Sequence, residues 1–126
     1  MPKREITKKE YNCYFELGID IMGGKWKPII LYYIGVKNVV RYSELKRAIP
    51  SINERVLTRQ LREMEDDKII KRKVYPQVPP KVEYFLEPIG QELIPILLEL
   101  KGWSEKYNAL YKKFQFPLEE KWDDIL

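Results

Sequence analysis

Residues 51–86, SINERVLTRQLREMEDDKIIKRKVYPQVPPKVEYFL, decide the fold. Ser51 stands three residues before Glu54, the capping-box spacing in which each side chain satisfies an orphan N–H of a helix's first turn. Leu57, Leu61 and Met64 recur at helical spacing and define an apolar face. At about 100° per residue, Arg55, Thr58, Arg59 and Arg62 fall on the opposite side. This helix is predicted to end near Asp67. A basic outward face is most often a solvated surface, so the arginines alone decide little. The ribbon beyond them is more specific. Ile69 to Tyr75 and Lys81 to Leu86 are rich in β-branched and aromatic residues, and Val82, Tyr84 and Leu86 alternate with Lys81, Glu83 and Phe85. Between them, three prolines in Pro76-Gln77-Val78-Pro79-Pro80 forbid strand continuation and make a stiff tip. Lys71, Arg72 and Lys73 lie on one side of it and Lys81 on the other. A basic helix coupled to a projecting basic hairpin suits insertion into a DNA groove.

Working outward, Cys13 to Ile21 reads as a short helix stopped by Gly23-Gly24. Lys27 to Ile34 reads as the next, with Pro28 in its first turn and Gly35 closing it. Val39-Val40-Arg41 is a brief strand. Tyr42 to Ala48 is a helix with Ser43 as the cap near its start, and Pro50 enforces the turn after it. A long helix is predicted from Pro88 to Phe114, with Pro95 either bending it or sitting in its first turns. Residues 1–10 are polar and basic and read as a flexible arm. The acidic tail Pro117 to Leu126 carries Trp122 and reads as packing on a partner or fraying. The expected fold class is mainly α with a small antiparallel β-sheet, residues 1–126 forming one domain.

Four stretches together resemble the HxlR-type winged helix-turn-helix transcriptional regulators, relatives of the MarR regulators. They are Gly23-Gly24-Lys25-Trp26 with Ile29-Ile30-Leu31, Arg41-Tyr42-Ser43-Glu44-Leu45, Leu57 through Glu65, and Val78-Pro79-Pro80-Lys81-Val82-Glu83-Tyr84. They span about residues 13–103 in the order and spacing of that family. Lys81, Arg59 and Glu87 depart from its usual arginine, glutamine and threonine, which bears on base preference rather than on class. The resemblance implies a homodimer built from N- and C-terminal helices. Residues 51–86 then become recognition helix and wing, and 88–114 a C-terminal dimerisation helix.

The apolar stripe of that last helix agrees. Leu93, Ile96, Leu97, Leu100, Trp103, Tyr107, Leu110, Tyr111 and Phe114 keep helical spacing for about six turns. So small a domain has little core to cover so long a stripe, so part of it is expected to meet a second copy.

Charge distribution points the same way. The 126 residues carry 23 Lys+Arg and 19 Asp+Glu, a net +4. From Arg41 to Lys81 there are eleven basic and six acidic residues, net +5, leaving the remainder at −1. The positive balance coincides with the DNA-binding segment, an electrostatic footprint. On the recognition helix, Asn53, Arg55, Thr58 and Arg59 are the candidates for base edges, because arginine matches guanine and asparagine matches adenine bidentately. Ser43, Lys46, Arg47, Arg62, Lys71 and Lys73 are candidates for phosphate, and Lys81 for a minor groove or its phosphates. The partner implied is a double-stranded DNA operator of inverted-repeat form.

Other classes find little support. The sequence has no histidine and one cysteine, which removes the commonest general base and any cysteine/histidine zinc site. No nucleophile–base pair or phosphate loop stands out, since two glycines and a lysine fall short of a P-loop. No catalytic residue, metal or cofactor is therefore expected. No apolar run approaches the ~20 residues of a membrane span, and no signal-peptide core precedes residue 25, so a cytoplasmic location is expected. Trp26 reads as a core anchor, and Tyr11, Tyr14, Tyr32 and Tyr33 as packing residues or the lining of an effector pocket. Cys13 reads as a small buried hydrophobe. The family resemblance adds a second role for it, sensing oxidants or electrophiles, which requires exposure and an activated thiolate. An effector, small molecule or electrophile, is thus a further candidate partner. A winged-helix module for protein contacts would keep the fold without DNA, but it suits an apolar or acidic outward helix face, unlike Arg55, Arg59 and Arg62.

Overall fold

The computed structural model describes residues 10–112 and 114–116. Among these residues, six helices and three strands follow in the order α1 (Tyr14–Met22), α2 (Trp26–Lys37), β1 (Val39–Arg41), α3 (Tyr42–Ala48), α4 (Glu54–Asp66), β2 (Ile70–Tyr75), β3 (Lys81–Leu86), α5 (Pro88–Gln91) and α6 (Leu93–Tyr111). The molecule is mainly helical with one small antiparallel sheet of order β1-β3-β2. The basic arm lies outside the described residues, apart from Glu10, and so do Lys113 and the acidic tail from Pro117.

α4 starts at Glu54, not Ser51. Ile49, Pro50, Ser51 and Ile52 form a turn, with the Ile52 N–H donating to the Ile49 carbonyl, and both isoleucines are buried. The cap is Asn53, whose backbone is extended and whose Oδ1 accepts the Val56 N–H at 2.8 Å. Both Ser51 and Asn53 suit a cap chemically. Burial of Ile52 places the turn, and so selects Asn53. α3 likewise does not use Ser43. Its first turn is closed by Glu44, whose carboxylate accepts the Arg41 N–H at 2.9 Å.

α2 runs past Gly35 to Lys37 and stops at Asn38 in a left-handed conformation, φ 68°. Gly35 serves packing instead of termination. A Cβ there would lie 2.4 Å from Ile94 Cδ1, so its absence lets α6 approach α2. The single long C-terminal helix is in fact two, because Pro88–Gln91 ends before Glu92 and α6 begins at Leu93. A close approach fixes α5: a Cβ on Gly90 would stand 2.2 Å from the Ile69 carbonyl oxygen, which already accepts the Glu87 N–H at 2.9 Å. Pro95 falls in the first turn of α6, where a missing N–H removes no intrahelical bond.

Ile30, Leu31 and Ile34 of α2 lie at the centre of the core with Leu45 of α3 and Leu57, Leu61 and Met64 of α4. The sheet closes one side with Val40, Ile70, Tyr84 and Leu86. Register explains which residues do so: Ile70 pairs with Leu86, Arg72 with Tyr84 and Val74 with Val82, while Lys71, Lys73 and Tyr75 oppose Phe85, Glu83 and Lys81 on the other face. Trp26 is half-buried and packs against the core, with the Lys25 ammonium 4.5 Å from its ring centroid.

Lys27 is a charge inside this core. It is 4% exposed, and its Nζ lies 2.8 Å from Glu63 Oε2. The pair ties the start of α2 to α4. Nothing in the sequence around Lys27 separated it from a surface lysine.

Candidate nucleic-acid interface

The capped start of α4 orients its outward face. Arg55, Arg59 and Arg62 are exposed along that face, and together with Tyr42, Glu54 and Thr58 they line an open cleft of about 550 Å³. Among the described residues, none of the three guanidiniums forms an ion pair with a carboxylate. Three unspent, donor-only groups converge there, each able to grip a phosphate or the two acceptors on a guanine edge. Four candidates read from the sequence, Arg55, Thr58, Arg59 and Arg62, are thus brought together.

Asn53 has a second task. Its amide oxygen accepts the Val56 N–H at the helix cap, which leaves one lone pair on that oxygen and the NH₂ group to reach outward. Ser43 and Arg47 are exposed on α3, whereas Lys46 folds back so that its Nζ donates to the Pro50 carbonyl at 3.4 Å.

The wing carries its own network. The Tyr75 hydroxyl donates to Glu83 Oε1 at 2.7 Å, and Lys81 Nζ lies 3.7 Å from Glu83 Oε2. The ammoniums of Lys73 and Lys81 sit 4.9 and 4.7 Å from the Tyr75 ring centroid, each within cation–π distance. The Tyr75 hydrogen bond, helped by Lys81 and Arg41, holds the Glu83 carboxyl below its usual range against a smaller desolvation effect. Lys71, Lys73 and Lys81 therefore share the sheet face turned away from the core. Lys73, Tyr75 and Glu83 border a second cavity, of about 730 Å³, with Val39, Phe85 and Ile94. That cavity and the arginine cleft have no lining residue in common, so the fold does not gather the wing lysines with the arginines into one pocket. Arg72, absent from the candidates, lies on the core-side face, 3.9 Å from Glu65 of α4. Burial raises the Tyr84 pKa, with Arg72 opposing and Glu65 reinforcing.

The expected dimer stripe divides. Leu97 is 7% exposed and belongs to the chain's own core, which corrects it to internal packing, and Leu93 is half-buried against that core. α6 enters the fold beside α2 at Gly35, with Leu93, Ile94 and Leu97 turned to the core. On its other faces Ile96, Leu100, Trp103, Tyr107 and Leu110 remain exposed, Trp103 at 60% and Leu110 at 76%. Trp103 stacks on Tyr107, with ring centroids 5.4 Å apart, and Tyr107 meets Tyr111 at 4.8 Å. On α1, Tyr14, Phe15 and Ile19 are also exposed, so Tyr14 is not packed in the chain's own core. Cys13, at the cap position of α1, is exposed rather than buried. Lys8 and Lys9, just upstream, lie outside the described residues. No helix among the described residues is long and apolar enough to cross a membrane.

Known proteins resemble this chain in sequence and fold. The HxlR-like helix-turn-helix family model matches residues 21–111. The chain is 47% identical over 103 residues to the HTH-type transcriptional regulator YdeP of Bacillus subtilis, covering 82% of this chain and 80% of that one. It is 45% identical to an HTH-type transcriptional regulator of Methanothermobacter thermautotrophicus, covering 83% and 79%. Among solved structures, the redox regulator HypR in its reduced form superposes with a TM-score of 0.75 at 44% identity, covering 81% of this chain and all of that one. The capped basic helix, the ribbon beside it and these likenesses agree: the chain belongs to the HxlR-like helix-turn-helix family of transcriptional regulators.

Proposed function

We propose that the protein binds duplex DNA sequence-specifically as a homodimer on an inverted-repeat operator. The observation that carries this is the cleft of Arg55, Arg59 and Arg62, three exposed guanidiniums with no carboxylate partner among the described residues. Arg55, Thr58 and Arg59 are assigned to base edges in the major groove, with the Asn53 amide nitrogen beside them. Arg62, Ser43, Arg47, Lys71 and Lys73 are assigned to phosphates, and Lys81 at the base of the wing to the adjacent minor groove. Exposed apolar residues of α6 and of α1 supply the twofold contact, since so much apolar surface left uncovered by the chain's own core suits an interface. Selection of bound fragments from random DNA tests the proposal. A dyad-symmetric motif with half-sites about one helical turn apart is expected; absence of any enriched motif would overturn it.

A second reading concerns regulation through Cys13. The thiol is exposed, and the structural relative HypR is described as a redox regulator, with an oxidised form that superposes at TM-score 0.70 and 49% identity. Oxidation of Cys13 by a disulfide-forming electrophile would join the two α1 helices of a dimer, or cap them with a small thiol, and shift the recognition helices. Operator binding before and after diamide separates the outcomes. A change in the wild type that Cys13→Ser lacks supports sensing, and identical behaviour of both proteins refutes it.

A further inference from the structure

We propose that Tyr42 sets the hydrogen-bonding polarity of Thr58, so that Thr58 selects a base carrying an exocyclic amine, adenine or cytosine. The proposal rests on the DNA-reading assignment above and names what that face recognises at one operator position.

The Tyr42 hydroxyl, at the first position of α3, stands 3.2 Å from the Glu54 carbonyl oxygen and 3.2 Å from Thr58 Oγ1. A phenol has one proton to give. The Glu54 carbonyl can only accept, so the Tyr42 proton goes there, onto the lone pair left beside the intrahelical bond. Thr58 must then supply the proton between the two hydroxyls, donating to the Tyr42 oxygen. This spends the only proton Thr58 has. What Thr58 presents to the cleft is an oxygen with free lone pairs, an acceptor.

The consequence is chemical selectivity. An unconstrained threonine rotates its proton to suit either a donor or an acceptor, and so pairs with any base. A threonine whose proton is held inward cannot donate to a phosphate oxygen, to guanine O6 or N7, or to thymine O4. It can accept from adenine N6 or cytosine N4, the two amine donors of the major groove. Its surroundings sharpen the contrast. Arg55, Arg59 and Arg62 line the same cleft and are donors only, so with the Tyr42 oxygen already taken up by Thr58, Thr58 and the Glu54 carboxylate are the side-chain acceptors left to DNA. Tyr42 touches no base itself. It is a positioning residue, acting on DNA through Thr58.

The test begins with binding-site selection by the wild type and by Thr58→Ala, which identifies the operator position that Thr58 reads. Wild type is expected to prefer adenine or cytosine there by about fivefold, the size of one net hydrogen bond. Tyr42→Phe keeps the ring and removes the hydroxyl, freeing the Thr58 proton. The preference at that single position should fall to near parity between amino and keto bases. A merely structural role for Tyr42 would instead lower affinity for all sequences alike and leave the ratio intact. A second measurement needs no Tyr42 variant: an operator whose exocyclic amine at that position is replaced by hydrogen should bind wild type about fivefold more weakly, and Thr58→Ala without change. A wild-type preference for guanine or thymine at that position would overturn the proposal, as would full preference retained in Tyr42→Phe or no position sensitive to Thr58→Ala. If wild type enriches no motif at all, the DNA-reading assignment itself has failed and this proposal falls with it.

Discussion

Arg55, Arg59 and Arg62 were legible because helical periodicity alone places them opposite Leu57, Leu61 and Met64, and packing of that apolar face turns them outward. Other residues depend on which helices cross. Lys27 follows Trp26 in a stretch with no local sign of a partner, and only the crossing of α2 over α4 brings Glu63 to it. The Tyr42 hydroxyl meets Thr58 sixteen residues away for the same reason. Roles on the interface separate by mutation. Arg59→Ala should cost about 1–3 kcal/mol on operator DNA and relax base preference at one position. Lys73→Ala should weaken all sequences alike and reduce the slope of affinity against salt. Competition binding on operator and scrambled DNA reads both, and equal, sequence-independent losses would contradict the assignment. Glu83 offers a pH test. Its folded-state pKa is depressed, chiefly by the Tyr75 hydroxyl, so its contribution to stability is present above the ordinary carboxylate range and is lost as pH falls through the folded value. Tyr75→Phe should move the Glu83 titration upward, as followed by carboxyl NMR shifts, and soften the loss of stability on acidification.

At the level of elements, β1, α3 and β3 lie where the sequence pattern places them, and α4 and β2 start within a few residues of it. Their signals are local: alternation, helical repeat and a proline-rich tip. Ends set by tertiary contact were less legible. Gly35 looks like a helix terminator, yet it sits inside α2 because Ile94 needs its space. Just before the break at Glu92, Gly90 lies against the Ile69 backbone, a contact between segments twenty-one residues apart that no local pattern shows. Lys27 and Glu63 join two elements, and their side chains are 5% and 19% exposed. Lys27→Met would strand a carboxylate that is mostly out of water. Allowing for its residual solvent contact, the loss should be about 2–3 kcal/mol. Adding Glu63→Leu should restore most of it, because a buried pair replaced as a whole by apolar groups is close to neutral. Chemical denaturation of the single and double variants measures this, and an additive loss in the double variant would contradict the account.

For the whole molecule, the long apolar stripe signalled an excess of hydrophobic surface but not how it is shared. Docking of α6 beside Gly35 spends Leu93 and Leu97 internally and leaves Ile96, Leu100, Trp103, Tyr107 and Leu110 outward. Substituting Leu100→Glu with Tyr107→Lys should therefore yield a folded monomer that binds a full operator poorly but keeps half-site contacts, as shown by sedimentation and titration. A wild type already monomeric at micromolar concentration would remove the twofold account. Reading of duplex DNA by the face of α4 and the wing is measured by fluorescence-anisotropy titration of the selected operator and a scrambled duplex across a salt series. Affinity for the operator should fall by orders of magnitude between about 50 and 200 mM salt, as counterion release requires, while staying well above that for the scrambled duplex throughout. Equal affinity for both duplexes at physiological salt, or an affinity insensitive to salt, would contradict it.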